Sequence, residues 1–197
     1  MFENVISLTL VALAGTMTPG PNNVMLTASG SAFGFRRTVP HMWGIVLGFP
    51  AMVAAIGLGL GEIFIRYPSL HLALKYAGAA YLLYLAWRIA QAGGPDGGET
   101  GGRPLRFFEA VAFQWVNPKG WMMAVTTIPA FTTVGGHYYT ELAVIVLVYV
   151  AAAIPSTLTW CAFGMAIRRL VKSPKAARAV NLALALTVAA SVVLLFL

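Results

Sequence analysis

Six long apolar runs separated by short polar stretches make up nearly all of the 197 residues: 4–33, 41–62, 70–90, 107–132, 139–167 and 179–197. The runs are continuous. They lack the apolar–polar alternation over roughly 10 residues that a transmembrane β-barrel strand shows. Most are near the length of about 20 apolar residues that carries an α-helix across a bilayer, and the last is just long enough to cross. The pattern predicts an all-α integral membrane protein of six transmembrane helices. The longest polar stretch, 91–104, is QAGGPDGGETGGRP, which reads as a flexible Gly-rich linker. It divides one transmembrane domain (1–197) into half one (1–90), linker (91–105) and half two (106–197).

Composition agrees, with 59% hydrophobic and 10% charged residues against roughly 25% charged in soluble domains. The N-terminus has no Lys or Arg before its apolar stretch, carries Glu3 and runs on past a Pro pair, so it reads as a retained first helix rather than a signal peptide. The net charge of +7 does not call for nucleic acid, because the basic residues fall mostly in short connections between apolar runs. Arg36, Arg37, Arg88, Arg103, Arg106, Arg168, Arg169, Lys172, Lys175 and Arg178 lie on one set of connections. Arg66 and Lys75 lie on the other. The positive-inside rule places the first set, at 34–40, 91–106 and 168–178, in the cytoplasm and both termini outside. Three spans per half then give the halves opposite orientation.

An inverted repeat predicts related features at matching places. The first span of half one contains TPGPNN (18–23), and the first span of half two contains QWVNPKG (114–120). The second spans carry Pro50 and Pro155. Interrupted segments at corresponding positions in two halves point to a transporter's central site. The first run is about 30 residues long, so a break near its middle lies near the membrane midplane. Pro19 and Pro21 strip carbonyls of their helical partners, Gly20 permits the turn, and the helix restarting at Pro21 offers free N–H groups and a positive dipole end. Asn22 and Asn23 add amides. Carbonyls for an ammonium and N–H groups for a carboxylate, a few ångströms apart, suit an amino-acid zwitterion.

Lys119 lies about 12 residues into the fourth run, beside Gln114, Asn117 and Pro118. An ionisable residue inside a membrane costs at least about 2.5 kcal/mol and marks a functional site by default. It is expected to pair with a substrate carboxylate or to hold the open carbonyls of the opposed break. No carboxylate is evident near the midplane. Burial favours the neutral form of lysine, so Lys119 is expected to act as both anion clamp and proton carrier, with Glu109 as the competing carrier. Glu3, Glu62 and Glu141 read as solvated helix ends, and Tyr67, Tyr76, Tyr138 and Tyr139 as interfacial anchors. His41, His71 and His137 are scattered through loops or span ends, so no metal or cofactor is expected. The lone Cys161 excludes an internal disulfide or dithiol chemistry. No base is placed beside a nucleophile, which argues against an enzyme.

TPGPNN followed by GFRR, then GIVLGFPAMV, KYAGAAYLLYLAWRIA and FQWVNPKGW, resembles the lysine exporter (LysE/RhtB) family of bacterial amino-acid effluxers over essentially the whole chain. Thr38 and the LAW of 85–87 depart from residues more usual there. FQWVNPK, WCAFG and NLALAL look closest to the branch exporting cysteine and O-acetylserine. The resemblance implies efflux of a small amino acid or derivative across the bacterial inner membrane to the periplasm in exchange for protons, with Pro19, Pro21, Asn22, Asn117, Pro118 and Lys119 at the centre; Gly20, Asn23 and Gln114, from the reading of the breaks, complete the expected substrate site. A homodimer is plausible for so small a bundle. The alternatives are export of another small solute or cation, a membrane-embedded enzyme, or a channel-like protein whose flux does not saturate.

Overall fold

The computed structural model describes residues 2–91, 103–133 and 137–196, and every regular element among them is helical. In order these are α1 (Phe2–Met17), α2 (Pro21–Ala55), α3 (Gly61–Arg66), α4 (Pro68–Ala90), α5 (Phe107–Gln114), α6 (Pro118–Phe131), α7 (Tyr138–Leu170) and α8 (Pro174–Ala190). A wide π turn, Ile56–Leu60, joins α2 to α3, and a 3-10 turn, Val193–Leu195, follows α8. Most of the Gly-rich linker, 92–102, lies outside the described residues, as do 134–136.

Three stretches among the described residues are long and apolar enough to cross a membrane: Pro21–Ile63, Tyr138–Leu170 and Pro174–Leu195. The outer surface suits that solvent. Leu10, Leu47, Leu147, Leu182 and Leu186 are exposed on the perimeter, where water would meet them at a cost and lipid would not.

The expected loop at 34–40 is absent. Two helices meet there with no intervening loop, and the reversal is concentrated in Gly34, whose φ of 75° and ψ of 178° are non-helical. The left-handed side of φ is open to glycine because it has no Cβ. Nine residues of straight helix would separate Ser29 from Thr38 by roughly 13.5 Å of rise, yet their hydroxyls lie 3.0 Å apart. The chain therefore folds back at Gly34, and α2 consists of two arms, 21–33 and 35–55. The basic connection expected at 168–178 is also shorter than the charge pattern suggested. Arg168 and Arg169 close α7, and Pro174 already opens α8 behind its Ser173 cap.

α2 packs most extensively on α7 and also on α5, while α4 packs on α8. The α2–α7 seam depends on small residues. A Cβ on Gly30 would overlap the Cys161 carbonyl, and one on Gly164 would overlap the Thr27 carbonyl. Such small-residue seams let membrane helices approach to backbone contact. Pro50 and Pro155 both stay inside continuous helices. Two apolar clusters form the core. Val24, Met42, Ile45, Leu82, Phe113 and Cys161 belong to one, and Leu8, Phe49, Met52, Ile145 and Tyr149 to the other. Ile45 and Phe49, one helical turn apart, look from these clusters into a cleft.

Candidate functional site between two helix breaks

Each break is built the same way. At the first, α1 ends at Met17 and Gly20, with extended backbone, precedes Pro21 at the first position of α2. At the second, α5 ends at Gln114, and Asn117, also extended, precedes Pro118 at the first position of α6. Proline suits that position because its missing N–H has no partner to lose there. Asn22 and Lys119 consequently occupy equivalent places, each second in its helix.

Their side chains cross. Asn22 Nδ2 donates to Gln114 Oε1 at 2.8 Å, and Gln114 Nε2 donates back to Asn22 Oδ1 at 3.2 Å. Lys119 Nζ reaches the first break, donating to Thr18 O at 2.6 Å, Thr18 Oγ1 at 2.7 Å and Pro19 O at 3.3 Å. Lys119 thus caps the chain end of the opposite break through backbone carbonyls, whereas Asn22 meets the opposite break through the Gln114 side chain alone. For Lys119 the contact also sets a cation against the negative end of the α1 dipole.

Other carbonyls freed at the breaks also have partners. Asn23 Nδ2 donates to Thr16 O at 2.7 Å and Thr18 O at 2.8 Å, folding the first break around one amide. Ser156 Oγ, from α7, donates to Thr16 O at 2.7 Å. At the second break three tight turns, Trp115 to Ala112, Val116 to Phe113 and Asn117 to Gln114, close the end of α5. Trp121 Nε1 then donates to Trp115 O at 2.9 Å.

Between the breaks is a cleft with about 430 Å³ of atom-free space, part of it open to the outside. Its polar lining includes Thr16, Asn22, Asn23, Asn117, Lys119 and Ser156, and Phe49 and Met123 contribute apolar walls. Two helix N-termini face it, each able to bind an anion through the N–H groups of its first turn. Asn117 is 3% exposed, and its Oδ1 has no hydrogen-bond partner. The cleft therefore brings together positive N–H ends, a lysine ammonium and the oxygens that the lysine holds, the partners a guest carrying both charges needs.

Of the residues singled out from the sequence, Gly20, Asn22, Asn23, Asn117 and Lys119 line this cleft. Gln114, fully buried, lies behind Asn22. Pro19 and Pro21 shape the first break and Pro118 the second. Glu109 is elsewhere. Its carboxylate accepts from Arg103 at 2.6 and 2.5 Å and from the Arg106 backbone N–H at 2.7 Å, tying the linker to the start of α5. Arg103 is held more firmly protonated by that hydrogen bond to Glu109. His41 is not at a span end. It is 1% exposed in the second arm of α2, with neither ring nitrogen partnered. Among the described residues no cluster of three His, Cys, Asp or Glu could hold a metal. Thr16, Thr18 and Ser156 were not singled out from the sequence. A hydroxyl within a turn of a Pro-broken helix is the signal that could have found them.

The family model described as LysE type translocator matches residues 13–197. Among curated proteins, the chain is 37% identical over 121 residues to a cysteine/O-acetylserine efflux protein of Escherichia coli O1:K1 / APEC, covering 60% of each chain. It is 36% identical over 120 residues, again 60% of each, to proteins of that name in Escherichia coli strain K12 and in Shigella sonnei strain Ss046. The matches thus span about 60% of the length of these relatives. No solved structure matches the chain.

Proposed function

Because the chain belongs to the LysE type translocator family, we propose that it is a secondary active exporter moving a small amino acid or derivative from cytoplasm to periplasm in exchange for protons. The observation that carries this reading is the cleft between the two breaks, where Lys119 and two helix N-termini face the oxygens of Thr16, Thr18 and Asn117. A zwitterion needs both kinds of partner. The relatives' names favour cysteine or O-acetylserine as the cargo.

The six apolar runs would form two inverted three-helix repeats in the bacterial inner membrane, with both termini periplasmic. The equivalent construction of the two breaks and their crossed side chains support that arrangement, and ten basic residues against two favour the orientation. Two halves hinged around a fixed central site can open alternately to either side. The substrate carboxylate binds at Lys119 and the helix N-termini, and the ammonium binds at the carbonyls of the first break.

Lys119 is the better proton carrier of the two candidates. It lines the cleft, whereas the Glu109 carboxylate is committed to Arg103 and the Arg106 N–H. Charged in one access state and neutral in the other, Lys119 would link efflux to the proton gradient without a buried acid. Purified protein in liposomes tests the reading. Saturable counterflow of a labelled amino acid without chemical change supports it, and flux that never saturates or an altered product refutes it.

A further inference from the structure

The carbonyls freed at the first break are already occupied, and by a side chain from the other half. Lys119 Nζ has three protons, and Thr18 O, Thr18 Oγ1 and Pro19 O accept them. All three acceptors are neutral. The ion pair found among the described residues joins Arg103 to Glu109 and leaves Lys119 without a carboxylate. An ammonium held by neutral oxygens alone is chemically the same guest as the α-ammonium of an amino acid. Asn117 also lines the cleft, and its buried Oδ1 has no donor to satisfy it.

We propose that Lys119 is a tethered competitor for the substrate's ammonium. The incoming amine displaces Nζ from the Thr18 and Pro19 oxygens and also donates to Asn117 Oδ1. The released lysine then turns to the substrate carboxylate. This rests on the cleft being the substrate site, and it adds an order of events and a rule of selection. A ligand with both groups replaces every contact that Lys119 gives up. An amine without a carboxylate evicts the lysine and leaves its charge unpaired in the cleft, a costly state for a desolvated ion. A carboxylate without an amine leaves Nζ where it is.

Gly20 is what lets the lysine reach across. A Cβ there would lie 2.7 Å from Lys119 Cδ, so Gly20→Ala would push the side chain off the oxygens while keeping its charge. The backbone at Gly20 is extended, with φ −177°, which alanine adopts readily.

Cysteine, cysteamine (the same molecule without its carboxylate) and N-acetylcysteine (without its ammonium) serve as probes under reducing conditions. Calorimetric binding is measured to wild type, Lys119→Met and Gly20→Ala in lipid nanodiscs. Wild type is expected to bind cysteine at least tenfold more tightly than cysteamine. Lys119→Met should bind cysteamine at least tenfold more tightly than wild type does, and cysteine more weakly. Gly20→Ala should also gain for cysteamine, which separates eviction from simple loss of charge repulsion. N-acetylcysteine should not gain in Lys119→Met, and should gain in Gly20→Ala, where the freed lysine is available to its carboxylate. Unchanged or weaker cysteamine binding in both variants overturns the competition, and if Lys119→Met does not fold, Gly20→Ala decides alone. Tight cysteine binding by wild type with no gain for cysteamine leaves the substrate site standing and removes the competition. Gains for cysteamine in both variants without cysteine binding by wild type do the reverse. No binding of any probe to any form removes both.

Discussion

Replacing Gln114 and Asn22 by leucine, singly and together, probes the contact that ties α5 to α2 at the cleft. Gln114 is fully buried, and its amide is fully engaged: Nε2 donates to Ala110 O and Asn22 Oδ1, and Oε1 accepts from Asn22 Nδ2. Leucine keeps nearly the same volume and removes the polar ends. Gln114→Leu strands both ends of the Asn22 amide. A buried orphan costs about 1–3 kcal/mol, but Asn22 is half-buried and borders the open cleft, so about 1–2 kcal/mol in all is expected. Asn22→Leu is worse, because it strands Gln114 Oε1 away from water while Nε2 keeps only Ala110 O, at about 1–3 kcal/mol. The double variant leaves neither amide and should cost no more than Gln114→Leu alone. The singles and the double then disagree with additivity by about 2 kcal/mol. Equilibrium unfolding in mixed micelles, followed by tryptophan fluorescence, measures all four proteins. Additivity within about 0.5 kcal/mol would show that the two amides do not support one another.

Other expectations concern packing, orientation and coupling. Gly164→Ala places a methyl against the Thr27 carbonyl, a backbone atom that cannot rotate away, and should lower stability by about 1–3 kcal/mol in the same unfolding assay. Cysteines placed at Gly97 and Gly136, both outside the described residues, should label oppositely with an impermeant thiol reagent in intact cells, and equal labelling would sink the inverted-repeat arrangement. Lys119→Arg keeps the charge but does not deprotonate. It should abolish accumulation driven by a pH gradient, whereas Glu109→Gln should have a milder effect; accumulation by Lys119→Arg would remove Lys119 as the proton site.

The breaks were legible because proline leaves a mark no helix hides: Pro19, Pro21 and Pro118 mark the ends of α1 and α5 to within a few residues. The placement of Lys119 opposite the first break was legible too, since a lysine so far from either end of an apolar run needs oxygen partners. The turn at Gly34 was not. The basic pair Arg36–Arg37 suggested a loop, but one residue with positive φ reverses the chain and the helical hydrogen bonding resumes at once. His41 was assigned to a span end for the same reason, and the shorter turn carries it into the core. The crossed pairing of Asn22 with Gln114 was also beyond sequence reach, because it depends on how the two halves meet rather than on either half's local pattern. Thr16 and Ser156 joined the site unannounced, since isolated hydroxyls in helices more often bond back to their own backbone.

The cleft as substrate site is tested most directly by transport through wild type, Asn22→Ala and Asn117→Ala reconstituted side by side in liposomes, with folding checked by size exclusion. A panel of labelled amino acids and O-acetylserine is offered in counterflow. The account predicts saturable uptake of at least one of them by wild type, stimulated by the same unlabelled compound inside, and its loss in both folded variants. Normal transport in both variants, or no counterflow of any member of the panel by wild type, would contradict it.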